Sequence, residues 1–253
     1  MKREHILVIL AVLLSALLVL TIFAGVLLYR GEWHLSNTST EEKTEIADVE
    51  EIIQEENRGT AEPVPEEIKA VMDGKSMKPN PYVSYEDLRY LTIPHYDFNY
   101  NVVSGHLIVN ASLAEEVLDI FAELYDAKYP IERMELIDKY DASDFESIEF
   151  NNTSAFNYRP VSTGTGKLSN HAYGRAIDIN PQTNPYVYAN GKGAHDNARE
   201  YWQRDVSLWR REIDRAAYIG NDTEIYRIFK KYGWEWGGDW SPEKDYQHFE
   251  KEN

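Results

Sequence analysis

Between Tyr82 and the C-terminus the chain alternates between two hydrophobic periods. In "SGHLIVNASLAEEVLDIFAELYDAKYP" a short alternating run predicts a strand, and a helix follows it. Leu113, Val117, Ile120, Phe121 and Leu124 repeat at helical spacing, and Ser112 with Glu115 reads as a capping box. "MELIDKY" reads as a strand. Asp222 is placed to cap a helix carrying Ile225, Ile228, Phe229 and Tyr232, which Gly233 stops. "HFEKE" reads as a closing strand. Strands and helices mix without a regular βαβ alternation, so the expected class is α+β, with an antiparallel sheet and flanking helices.

The N-terminal pattern differs. Ile6 to Leu28 form an uncharged, almost wholly apolar run, long enough for one membrane-spanning helix. Lys2 and Arg3 precede it and acidic residues follow from Glu32, which places the N-terminus in the cytoplasm and the rest outside. A cleaved signal peptide is the rival reading, but this run is longer than such a segment and its end is bulky. Residues 29–80 read as an acidic stem, dense in acid from Glu41 to Glu56 and carrying the prolines of "AEPVPEE" and "KPNPY". A short amphipathic helix through Ile46, Val49, Ile52 and Ile53 fits within it. The expected organisation is a cytoplasmic tip (1–5), a signal anchor (6–28), the stem (29–80) and a globular domain (81–253).

Composition narrows the chemistry. The net charge of −17 argues against a nucleic-acid partner. The absence of cysteine removes disulfides, thiolate metal sites and cysteine nucleophiles. In "SNHAYGRAIDIN" (169–180), Ile177 and Ile179 alternate with Ala176 and Asp178, so in a strand Asp178 points away from the isoleucines. Gly174 permits a tight turn that folds His171 back over the Asp178 face. One imidazole and one carboxylate on one face are two candidate zinc ligands. A third must be another histidine or an acid. His248, in "WEWGGDWSPEKDYQHFE", is the candidate among seven histidines, while His195 reads as a loop residue. Asp245, three residues before His248, is a candidate general base. Three residues along a plain strand would put the two on opposite faces, so the chain is expected to bend between them.

"SNHAYGRAIDIN" resembles the S-x-H-x-x-G-x-A-x-D motif of the zinc D-alanyl-D-alanine carboxypeptidase family, which includes related murein endopeptidases. "GWEWGGDW" with "DYQHFE" resembles the C-terminal motif of one bacterial branch, and "NNTSAFNYRP" its upstream segment. The resemblance covers about residues 81–253 and implies a zinc peptidase domain of the hedgehog-like type. It implies one catalytic Zn²⁺ on His171, Asp178 and His248, with Asp245 as general base and acid where some relatives have Glu. It implies that Arg159 holds the scissile carbonyl oxygen and that Ser169 orients substrate. Ser169 also reads as a turn cap, and Trp234, Trp236 and Trp240 as core, with Trp236 the alternative cleft wall. The expected activity is zinc-dependent hydrolysis of peptidoglycan stem peptides at the cell membrane, removing terminal D-Ala. The alternatives are an L-Ala-D-Glu endopeptidase, a silent wall-peptide-binding domain, and an anchored interaction protein with a structural metal. The last needs four protein ligands where three are in view.

Overall fold

The computed structural model describes residues 58–161 and 165–252. The apolar run 6–28 and the acid-rich stretch after it lie outside the described residues. No helix among the described residues is long and apolar enough to cross a membrane.

Three antiparallel strands, β1 (Thr60–Pro63), β2 (Leu88–Tyr96) and β3 (Val102–Asn110), form one sheet in that order. Helix α1 (Glu66–Met72) lies between β1 and β2 in sequence. Helix α2 (Ala114–Asp126) packs on β2 and buries Val117, Ile120, Phe121 and Leu124, the residues its periodicity marks. The remaining elements are β4 (Arg133–Met134), α3 (Asp144–Glu149), β5 (Asn152–Thr153), β6 (Ala176–Asp178), β7 (Tyr186–Val187), α4 (Glu212–Ala216), α5 (Glu224–Lys231), β8 (Glu235–Trp236), β9 (Lys244–Asp245) and β10 (His248–Glu250). A second antiparallel sheet runs β6-β10-β8, β7 pairs antiparallel with β9, and β4 pairs parallel with β5. Mixed helices and largely antiparallel sheets agree with the expected class.

Four local expectations are corrected. The folded region begins before residue 81: β1 pairs with β2, and Met72 and Met77 share a buried cluster with Val64, Leu88, Ile108 and Phe156. The prolines that suggested a spacer are compatible with this, because β1 is an edge strand, where Pro63 is tolerated. "MELIDKY" is strand only at Met134 and then turns as 3-10 helix from Ile137 to Tyr140, where buried Asp138 accepts hydrogen bonds from the Ser76 amide and hydroxyl. The Ser112–Glu115 capping box is not formed. Asn110 Oδ1 takes both the amide and the hydroxyl of Ser112. The α5 cap position falls to Thr223 rather than Asp222, and Gly233 follows the helix with φ +79° as expected.

The second sheet positions the site. Ile177, Ile179 and Phe249 are fully buried in the main core with Phe229, Trp234 and Trp236. Phe249 stacks on Phe229 with ring centroids 4.0 Å apart. Because side chains alternate along a strand, Asp178 and His248, which are direct partners across β6 and β10, emerge on the other face. The 3-10 turn Asn170–Tyr173 ends at Gly174 in the left-handed region (φ +65°), and this turn returns His171 to that face. A Cβ at Gly174 would lie 2.6 Å from the Asn110 amide nitrogen and 2.9 Å from the Val109 carbonyl carbon. Gly174→Ala is therefore expected to destabilise the fold by at least about 1–2 kcal/mol from the left-handed backbone alone. Thermal denaturation checks this, and an unchanged Tm would refute it.

Candidate active site

His171, Asp178 and His248 are buried and bring one ligand atom each within 4.8 Å of one another. His171 Nε2 lies 3.2 Å from Asp178 Oδ2 and 3.2 Å from His248 Nδ1, and His248 Nδ1 lies 2.9 Å from Asp178 Oδ1. Donors about 2.0–2.1 Å from a tetrahedral zinc stand about 3.3 Å apart, so this spacing fits one small ion with little adjustment. The chemistry of the set, two imidazoles and one carboxylate, also fits. It supplies three protein ligands, which leaves a tetrahedral ion one position for water or substrate.

The outer nitrogens of both rings are engaged. His171 Nδ1 is 2.5 Å from the Ala155 carbonyl oxygen, which as an acceptor requires Nδ1–H and leaves the Nε2 lone pair facing the cluster. Thus "NNTSAFN" contributes a backbone acceptor: Ser154 pairs with Asp178 through both backbone hydrogen bonds, and Ala155 follows. His248 Nε2 is 3.0 Å from Glu250 Oε2, and the Asn170 amide donates to the same oxygen at 2.7 Å. Glu250 thereby fixes the His248 tautomer with Nδ1 toward the cluster. Glu250→Gln is expected to weaken zinc binding by roughly 10–100-fold. Competition against a chromophoric chelator measures this, and an unaltered zinc Kd would discard the role.

A cavity of about 800 Å³ opens over the cluster. Asp245 lines it, half-buried, with Oδ1 buried and without a hydrogen-bond partner. β9 and β10 are separate strands with a turn at Tyr246–Gln247 between them, so the bend expected between Asp245 and His248 is present. Gly237 makes room for it, since a Cβ there would meet the Asp245 carbonyl oxygen at 2.5 Å and Asp245 Cβ at 2.8 Å. Burial and the nearby Asp178 charge push the Asp245 pKa up to about 7, against the opposing pull of His248, His171 and Arg159. Burial also opposes ionisation of Asp178, but the two imidazoles outweigh it and hold this carboxyl well below the usual range. His248 is raised to about 10, because its bonds to Asp178 and Glu250 outweigh burial.

Arg159 lines the same cavity and is ion-paired through Nε with Asp144 at the start of α3. Ser169 lines it as well, and its hydroxyl accepts the His171 amide at 3.3 Å, so it caps the turn. Trp236 is not brought to the cavity. It sits in the core opposite Phe249 on the neighbouring strand, with Nε1 donating to the Tyr246 carbonyl at 2.9 Å. Trp240 lines the cavity instead, its ring centroid 5.2 Å from that of His248. His195, expected in a plain loop, is buried and lines the cavity too.

Residues 163–251 match the family model described as D-alanyl-D-alanine carboxypeptidase. The matched segment contains His171, Asp178, Asp245, His248 and Glu250, so the residues of the cluster and its neighbours lie within the stretch that is similar to this family. Arg159 and the "NNTSAFN" acceptor lie upstream of the match. No solved structure matches the chain. The match supports a hydrolase, a zinc metallopeptidase for peptidoglycan peptides.

Proposed function

We propose that the protein removes the terminal D-alanine from peptidoglycan stem peptides. The observation that carries the reading is the His171–Asp178–His248 cluster on a cavity wall with an unpartnered carboxylate, Asp245, beside it. These three residues would hold Zn²⁺, which when bound supplies Lewis acidity toward the peptide carbonyl and toward water. Asp245 takes the proton of the attacking water and returns it to the leaving amine. Arg159, with Asp144 holding its Nε, offers its remaining N–H donors to the carbonyl oxygen as charge develops there. Ser169 keeps its hydroxyl proton free for the substrate, since its oxygen accepts rather than donates in the turn. A silent binding domain would have no use for Asp245.

The cavity volume favours a second reading. About 800 Å³ is generous for a terminal dipeptide and suits a longer stretch of stem peptide, as an L-Ala-D-Glu endopeptidase requires. Mass spectrometry of defined muropeptides incubated with the zinc-loaded full chain separates the two. Loss of one alanine from a pentapeptide supports the carboxypeptidase, and release at L-Ala-D-Glu supports the endopeptidase. Tight binding without any product would return the silent domain. The apolar run 6–28 supports a single-pass anchor with the catalytic domain outside the membrane. Carbonate-resistant membrane association, abolished by deleting that run, is the expected behaviour.

A further inference from the structure

His195 has the features of a built recognition group. It is only 6% exposed yet lines the cavity. Its Nδ1 lies 2.7 Å from Glu149 Oε1, and the Asn197 amide donates to Glu149 Oε2 at 2.8 Å. Phe145 stacks on the ring with centroids 4.4 Å apart. Ring, carboxylate and aromatic therefore hold one another in a fixed orientation. The segment that follows has its own small core of Ala198, Tyr201 and Trp209, which steadies the His195 end. Nε2 has no protein partner among the described residues, although it belongs to a nearly buried side chain.

An acceptor carboxylate at Nδ1 keeps a proton there, so Nε2 is the ring's unengaged position. An anion bound at Nε2 and the Glu149 carboxylate at Nδ1 would each accept one N–H of the ring. The two long basic side chains on the cavity, Arg159 and Lys167, are differently placed. Arg159 is held at Nε by Asp144 and is assigned to the scissile carbonyl, and Lys167 is an exposed side chain with no ion-pair partner among the described residues to orient it. A preorganised donor binds with less loss of side-chain freedom than a mobile one.

We infer that His195, held by Glu149, is a recognition site for a carboxylate of the bound stem peptide. This rests on the reading of the cavity as the peptide site. A stem peptide offers two such groups, the C-terminal carboxylate and the α-carboxylate of D-glutamate, and they share the same chemistry. His195 is a binding residue here and takes no part in proton transfer.

The test is calorimetric titration of the zinc-loaded full chain carrying Asp245→Asn, which slows turnover enough for binding to be read. Three peptides are used: a pentapeptide with free carboxylates, its C-terminal amide, and its D-isoglutamine form. One of the amidated peptides is expected to bind about tenfold or more weakly than the parent, and which one it is identifies the carboxylate. In a second protein also carrying His195→Gln, that difference is expected to vanish, with zinc content and Tm retained. Glu149→Gln should reduce it. Equal affinity for all three peptides, absence of binding by all three, or discrimination that survives His195→Gln overturns the inference. Failure of hydrolysis by the zinc-loaded protein without Asp245→Asn would overturn the peptidase reading separately, because the titration needs no turnover.

Discussion

Asp245→Asn is expected to lower kcat by about 10²–10⁴-fold, the usual contribution of a positioned general base, while leaving zinc binding intact. The expectation follows from geometry. Asp245 lies outside the mutual contacts of the three clustered residues, lines the same cavity, and keeps a buried oxygen without a protein partner. Its pKa gives the reaction a pH signature. A base works ionised, so activity falls as pH drops through its pKa. In the metal-free protein burial and Asp178 raise that value to about 7. A cation beside it favours the carboxylate and lowers the value, so the acid limb of the loaded enzyme should have its midpoint between about 4, the ordinary carboxylate value, and about 7. The limb should disappear from the residual rate of Asp245→Asn. Full activity in Asp245→Asn, with one zinc per chain, would remove Asp245 from the mechanism.

His171→Ala is expected to cost the metal itself. Zinc affinity should fall by well over the roughly 10–100-fold typical of losing an outer partner, because a direct ligand is lost from a set of three. Its nearest contacts are Asp178 and His248 at 3.2 Å, and its other nitrogen is fixed by the Ala155 carbonyl. Linkage provides a second readout. Free zinc at a hundred times Kd stabilises a protein that binds it by about 2.7 kcal/mol. Zinc should therefore raise the Tm of the unmutated chain and leave that of His171→Ala unmoved. Stoichiometric zinc in purified His171→Ala would exclude the residue as a ligand.

The parts of this site that were legible in the sequence are those set by local periodicity. Ile177 and Ile179 facing the core imply that Asp178 faces away, and Gly174 implies the return of His171. The structure shows both relations. The Asp245–His248 bend followed from the same alternation rule. What escaped depends on partners far apart in the chain. Nothing near His195 announces Glu149, 46 residues earlier, which turns a loop histidine into a fixed one. Asp138 abandons its strand for Ser76, 62 residues away. Trp236 and Trp240 are indistinguishable by composition, and only the pairing of Trp236 with Phe249 assigns it to the core. The Gly237 requirement was likewise invisible, because it reflects the close approach of Asp245 rather than a turn conformation. Edge-strand β1 was obscured by prolines that suit an edge strand as well as a spacer.

One zinc ion, held by His171, Asp178 and His248, is expected to make this chain a peptidase. The most direct measurement strips the full chain of metal, titrates zinc back, and follows bound zinc and muropeptide cleavage together. Activity should be absent in the stripped protein and rise in proportion to occupancy, reaching its plateau at one zinc per chain. Undiminished cleavage by metal-free protein would contradict the account, as would a fully loaded protein that cleaves no stem peptide.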